Sequence, residues 1–163
     1  MFQHILVAID GSHTSRSALD VALQLARDNH ASLWPVYVIC TGLVAYDLST
    51  YDAAAMQASL FEEGRQVTEE ASQLMVAAGV AGQAMVRITP PGGDVVQCLL
   101  NQADLVAADL LVLGTHGRRG IRRLMLGSVA EHVVRQSTRP VLLVPDARLD
   151  AAHRTQVEAD VAH

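Results

Sequence analysis

Leu110-Leu111-Val112-Leu113-Gly114-Thr115-His116-Gly117 is the stretch whose reading decides the fold. Four apolar residues in a row, ended by a glycine-bounded loop, predict a short strand buried on both faces. Nine residues, Arg118 to Leu126, separate this loop from Gly127-Ser128, where a helical pattern opens. Val129, Ala130, Val133 and Val134 recur there as an inward face, to about Gln136, and Val141 to Val144 forms a last apolar run before Pro145. A strand, a glycine-rich loop and a helix N-terminus make an anion site in outline, because main-chain amides and the helix dipole both favour negative charge. A nucleotide or another phosphorylated ligand suits that outline.

Upstream the same alternation repeats. Ile5 to Ile9 reads as a buried strand, broken by Asp10-Gly11-Ser12 with Ser12 as a helix N-cap. Ala18, Val21, Ala22, Leu25 and Ala26 follow at helical spacing, and Ser32 to Cys40 holds a second strand. Thr41 to Thr50 reads as a loop. Tyr51 to Ala78 reads as a long helix with Leu60, Val67, Ala71, Leu74 and Met75 on its apolar face and Gly79 as its stop. Ala84 to Ile88 is a third strand, Pro90-Pro91-Gly92-Gly93 a breaker, and Asp94 opens a helix carrying Val95, Leu99, Gln102 and Val106. Short apolar strands alternating with helices predict an α/β fold, an open parallel sheet with helices on both faces. The chain's 163 residues suit one domain, placed over residues 1–146, with a polar, alanine-rich tail over 147–163 expected to be mobile.

Half the residues are apolar but only 4% are aromatic, so the core must be built mainly from Val, Leu, Ile and Ala. The net charge of −5 argues against a general nucleic-acid binder. Arg118, Arg119, Arg122 and Arg123 nevertheless place four of the twelve basic residues in one loop, a basic island on an acidic body. Such an island suits a local anion site, although a solvated loop would look the same. The chain has no lysine, which excludes the G-x-x-x-x-G-K phosphate loop, protein-kinase phosphate chemistry and Schiff-base catalysis. Cys40 and Cys98 are too few and too far apart for a disulfide framework or a C-x-x-C metal pair. Neither a basic region with a long apolar stretch near Met1 nor an apolar run of about 18 residues is present, so a cytoplasmic chain with no membrane span is expected.

In an open parallel sheet, ligands bind beyond the carboxyl ends of the strands, near a switch in strand order. Asp10, at the end of the first strand, suits ribose hydroxyls or an amine, with capping of the next helix as its plain structural role. Val38 would offer a base only its main-chain groups. Gly114 and Gly117 let a ligand approach the backbone without a Cβ in the way. Gly127 and Ser128 place amides at a helix start, and the Ser128 hydroxyl suits either a phosphate oxygen or a cap. His116 suits phosphate or ribose, or plain exposure. The remaining histidines show no metal-ligand spacing. Ser128 and His132 stand four apart with no evident carboxylate or oxyanion partner, so no catalytic residue is assigned.

With these residues laid out, the chain resembles the universal stress protein family. Its ATP-binding signature, G-x2-G-x9-G-[S/T], is met by Gly114, Gly117, Gly127 and Ser128. His4 to Ser12 is similar to the family's first strand and turn, and Ser137 to Pro145 to its last strand, so the resemblance covers roughly residues 1 to 146. It implies a Rossmann-like, five-stranded sheet in the order 3-2-1-4-5, of the adenine nucleotide alpha hydrolase type. It implies a homodimer through the last strand, Val141, Leu142, Leu143 and Val144, where an apolar edge invites pairing. It also implies ATP as ligand, any Mg2+ arriving with the nucleotide. Ala8, Ile9 and Asp10 would then meet the ribose region and the Val38 main chain the adenine. Leu113, Gly114, His116 and Gly117 would hold ribose and phosphates, and Gly127, Ser128, Val129 and Ala130 the phosphate tail. One branch of the family lacks the glycines and does not bind ATP; the intact signature favours the other. The reading is a nucleotide-dependent regulator or sensor in the stress response. The alternatives are a slow ATPase or phosphotransferase, and a dimeric interaction module that needs no nucleotide.

Overall fold

A computed structural model describes residues 1–40, 53–117 and 126–145. The expected loop at Thr41 to Thr50, the arginines of the 118–123 segment and the 147–163 tail lie outside the described residues. The elements run β1 (His4–Ile9), α1 (His13–Asn29), β2 (Ser32–Ile39), α2 (Ala53–Ala78), β3 (Met85–Ile88), α3 (Val95–Leu105), β4 (Leu110–Gly114), α4 (Ser128–Gln136) and β5 (Val141–Val144). All pairings are parallel and the sheet order is β3-β2-β1-β4-β5.

Alternation along β1 divides the core in two. Ile5, Val7 and Ile9 pack with α1 and with Ala71 and Met75 of α2. Leu6 turns to the opposite face, with Val96, Leu99 and Ala103 of α3 and Val133 of α4. Helices thus cover both faces, and the chain reverses its direction across the sheet between β1 and β4.

Local chemistry sets the boundaries. Ser12 caps α1, its Oγ accepting from the Ser15 N–H at 3.2 Å. Asp94 is the N-cap of α3, accepting from the Val96 N–H at 3.1 Å, so the helix begins one residue later than expected. Gly79, just past α2, takes a positive φ and ends that helix as expected. Along α4 the inward face is narrower than the periodicity predicts: Ala130 and Val133 are buried, whereas Val134 is 45% exposed. Adjacent residues stand about 100° apart around a helix, so docking that buries Val133 turns Val134 toward the rim of the contact.

Gly82 cannot be exchanged freely. Its φ is +131°, and a Cβ there would stand 1.9 Å from the Leu33 carbonyl oxygen. This close approach lets the segment before β3 run beside the start of β2, where the Leu33 and Gln83 main chains are joined by a hydrogen bond.

Candidate functional site

The carboxyl ends of β1 and β4 meet where the strand order reverses. Asp10 follows β1 directly. Its Oδ1 accepts from the Ser12 N–H at 2.9 Å, and its own N–H donates to Ser15 Oγ at 3.3 Å. The carboxylate is therefore positioned by the first turn of α1, while the capping role belongs to Ser12. Across the reversal, a Cβ on Gly117 would stand 2.9 Å from Asp10 Oδ2. The missing side chain of Gly117 thus leaves the room that Asp10 occupies.

Gly127 approaches the same loop from the other side. Its N–H donates to the Thr115 carbonyl at 2.7 Å, and a Cβ on it would lie 3.2 Å from that oxygen and 3.5 Å from His116 Cα. The Thr115 N–H in turn donates to the Val144 carbonyl at 2.9 Å. Thr115 therefore joins the β4 loop to the start of α4 and to the end of β5 through main-chain groups alone. That is why the sequence did not single it out: any residue carries those groups.

Gly127 is the N-cap of α4 and makes no side-chain cap hydrogen bond. Ser128, expected as ligand or cap, is the first helical residue and is exposed, so the capping alternative falls away. The amides of Ser128, Val129 and Ala130 form the opening turn, where the helix dipole is positive. The Val129 side chain packs on the α3–α4 core and Ala130 is buried, so their main-chain amides are what a ligand here would meet.

Gly114 has another neighbour than a ligand. A Cβ there would meet Thr14 Cγ2 at 2.8 Å and the Thr14 main chain at 3.0 Å, so its bareness lets α1 close against the end of β4. Ile9 and Leu113 are buried in opposite cores, and Ala8 packs partly on the α3–α4 side. His116 is half-buried rather than exposed. Its Nδ1 lies 3.0 Å from Thr115 Oγ1, and its Nε2 is buried with no hydrogen-bond partner among the described residues.

Val38 stands one residue before the end of β2. Ile39 accepts from the Thr89 N–H on the β3 side, at 2.9 Å. Main-chain groups of successive strand residues face opposite sides, so those of Val38 face β1. The β1–β2 ladder ends at Ile9 and Tyr37, which places the Val38 carbonyl beyond it, level with Asp10. Asp10, Gly117, Gly127 and the first turn of α4 are thus brought together, with Val38 one strand away.

Among the described residues no group of three or more His, Cys, Asp and Glu side chains could hold a metal ion. No described helix is long and apolar enough to cross a membrane. Cys40 and Cys98 are free thiols, half-buried, and burial raises the Cys98 pKa.

The family model described as "Universal stress protein family" matches residues 1–145. The chain belongs to the universal stress protein family. Universal stress protein YxiE of Bacillus subtilis (strain 168) is 33% identical over 153 residues, covering 88% of this chain and 99% of that one. A universal stress protein family member from Burkholderia pseudomallei, known as a crystal structure, is 39% identical with a TM-score of 0.74, covering 88% of this chain and 96% of its own. A further universal stress protein, solved in complex with cAMP, is 29% identical with a TM-score of 0.65, covering 88% and 97% of the two chains. The five-stranded order expected from the resemblance is the order found.

Proposed function

We propose that this universal stress protein binds an adenine nucleotide, ATP, at the carboxyl ends of β1, β2 and β4, and acts as a nucleotide-dependent regulator in the stress response. The observation that carries the reading is the convergence of Asp10, Gly117 and Gly127 on one space, with an opening helical turn whose cap has no side chain. The related protein solved with cAMP supports the adenine class. The buried His116 Nε2, without a hydrogen-bond partner among the described residues, suits a ligand hydroxyl or phosphate oxygen that would complete its hydrogen bonding.

Each group has a role that its chemistry suits. The Asp10 carboxylate accepts from ribose hydroxyls. The Val38 carbonyl accepts from the exocyclic amine of adenine, which guanine lacks at that position. The Ser128, Val129 and Ala130 amides, with the Ser128 hydroxyl, take the phosphate oxygens at the positive end of α4. A magnesium ion would arrive with the nucleotide. In this arrangement the main chain holds the phosphates without a lysine, and the only carboxylate assigned to the site sits at its ribose end. Binding is therefore better served than hydrolysis.

Assembly follows from the edge at β5. Val141, Leu142, Leu143 and Val144 form an uncharged apolar strand with one side unpaired among the described residues, so antiparallel pairing of two copies gives a homodimer.

Mass spectrometry of small molecules released by denaturing the purified protein, together with isothermal titration, tests the reading. Bound adenine nucleotide and saturable ATP binding are expected; no heat of binding at millimolar ATP would overturn it.

A further inference from the structure

The sheet has a second edge, β3, and the Arg87 side chain lies on its outer side. The Thr89 N–H faces β2, so the main chain of Arg87, two residues earlier, faces β2 as well. The groups of Val86 and Ile88 therefore face outward, where an added strand would pair. Arg87 reaches that side: its Nη1 donates to the Val86 carbonyl at 3.1 Å. Its Nε donates to Gln102 Oε1 at 2.6 Å, and Gln102, on α3, is only 4% exposed. A buried amide thus anchors a guanidinium across an edge that no described strand pairs.

We infer that Arg87, held by Gln102, is an edge guard that stops a second copy of this chain from adding to β3. A strand pairing there would have to take the Val86 carbonyl from a charged donor. It would also have to move the guanidinium, leaving the buried Gln102 amide short of a partner. Ile88, 45% exposed beside it, supplies the apolar surface that makes a guard useful. No charged side chain belongs to β5, so the two edges are treated differently, and sheet extension stops at β5. Were both edges open, two self-complementary contacts on opposite sides of one sheet would join copies into an open chain.

The inference rests on the proposed β5 dimer only for the size of the starting species, and its test separates the two. Light scattering after gel filtration is run on the full chain and on Arg87→Met/Gln102→Leu, which keeps apolar volume while removing the guard. The double variant is expected to exceed the wild-type mass at least twofold and to grow with concentration. Gln102→Glu, which keeps an acceptor for Arg87, is expected to match wild type. Adding Leu142→Glu to the double variant closes the β5 edge and should leave a pair joined through β3, whereas Leu142→Glu alone should be monomeric. If wild type is already monomeric, the β5 reading fails, and growth of the double variant would still support the guard. Arg87→Met alone is the milder variant, should the double one not fold by circular dichroism. Wild-type mass in every folded variant without the guard, across the concentration range, would overturn the inference.

Discussion

Gly117 and Asp10 share one space: a Cβ on Gly117 would stand 2.9 Å from Asp10 Oδ2, a separation that real Cβ atoms do not tolerate. Swinging the carboxylate aside would strain the hydrogen bond that Oδ1 accepts from the Ser12 N–H at 2.9 Å. Gly117→Ala should therefore displace either the loop or the carboxylate. ATP binding is expected to weaken at least tenfold, about 1.4 kcal/mol, with little change in melting temperature. Titration calorimetry beside a thermal melt checks it; unchanged affinity would show that this contact does not shape the site.

Asp10 has a structural task and a proposed binding task that a substitution can separate. Asp10→Asn keeps an oxygen for the Ser12 N–H but loses the charge proposed to receive ribose hydroxyls. Asp10→Ala loses both. The asparagine variant is expected to keep wild-type stability while losing about 1–2 kcal/mol of nucleotide affinity. The alanine variant should lose affinity and also melt earlier, since the turn before α1 loses its acceptor. Equal stability in both variants would remove the structural role assigned to Oδ1.

Gly82 belongs to the fold, not the site, and supplies a contrasting test. A Cβ at φ +131°, 1.9 Å from the Leu33 oxygen, forces the main chain apart. Gly82→Ala should cost about 3 kcal/mol or more, lowering the melting temperature by roughly 10 °C. Nucleotide affinity of the fraction still folded should stay near wild type, because the contact lies at the start of β2, far from the end where the nucleotide is proposed to bind.

Much of this was legible in the sequence because it is carried by side-chain patterning. The continuous run Leu110 to Leu113 marked β4, and Val141 to Val144 marked β5 to the residue. Ser12 signalled its cap. The order of the strands was another matter: periodicity finds strands but does not rank them, and the order came from the family resemblance. What escaped the sequence is main-chain geometry and small-residue contact. Thr115 works through its N–H and carbonyl, Gly114 through the room it leaves for Thr14, and Gly64 through the room it leaves for the Tyr37 ring. Val134 was misplaced because a run of valines along a short helix fits two registers, and only docking on the sheet chooses between them.

Acid should loosen the contact between the first two helices. Arg16 of α1 and Glu70 of α2 form an ion pair about half-exposed to solvent, and the hydrogen bond from Arg16 holds the Glu70 pKa below its ordinary value. A carboxylate whose folded pKa is depressed contributes stability above its unfolded pKa, near 4.5, and loses it as pH falls through the folded one. Screening at this exposure limits the contribution to about 0.5 kcal/mol. Glu70→Gln should therefore melt slightly below wild type at pH 7, and the gap should close on acidification and in high salt. Glu62 gives the spectroscopic control: Arg65 and then Gln66, all three on α2, lower its pKa to about 2. Carboxyl chemical shifts should show Glu62 titrating at about pH 2, without a matching step in the melting curve, because this pair lies within one helix and joins no two elements. A stability gap between wild type and Glu70→Gln that persists below pH 2 would show that the substitution acts through packing instead of charge.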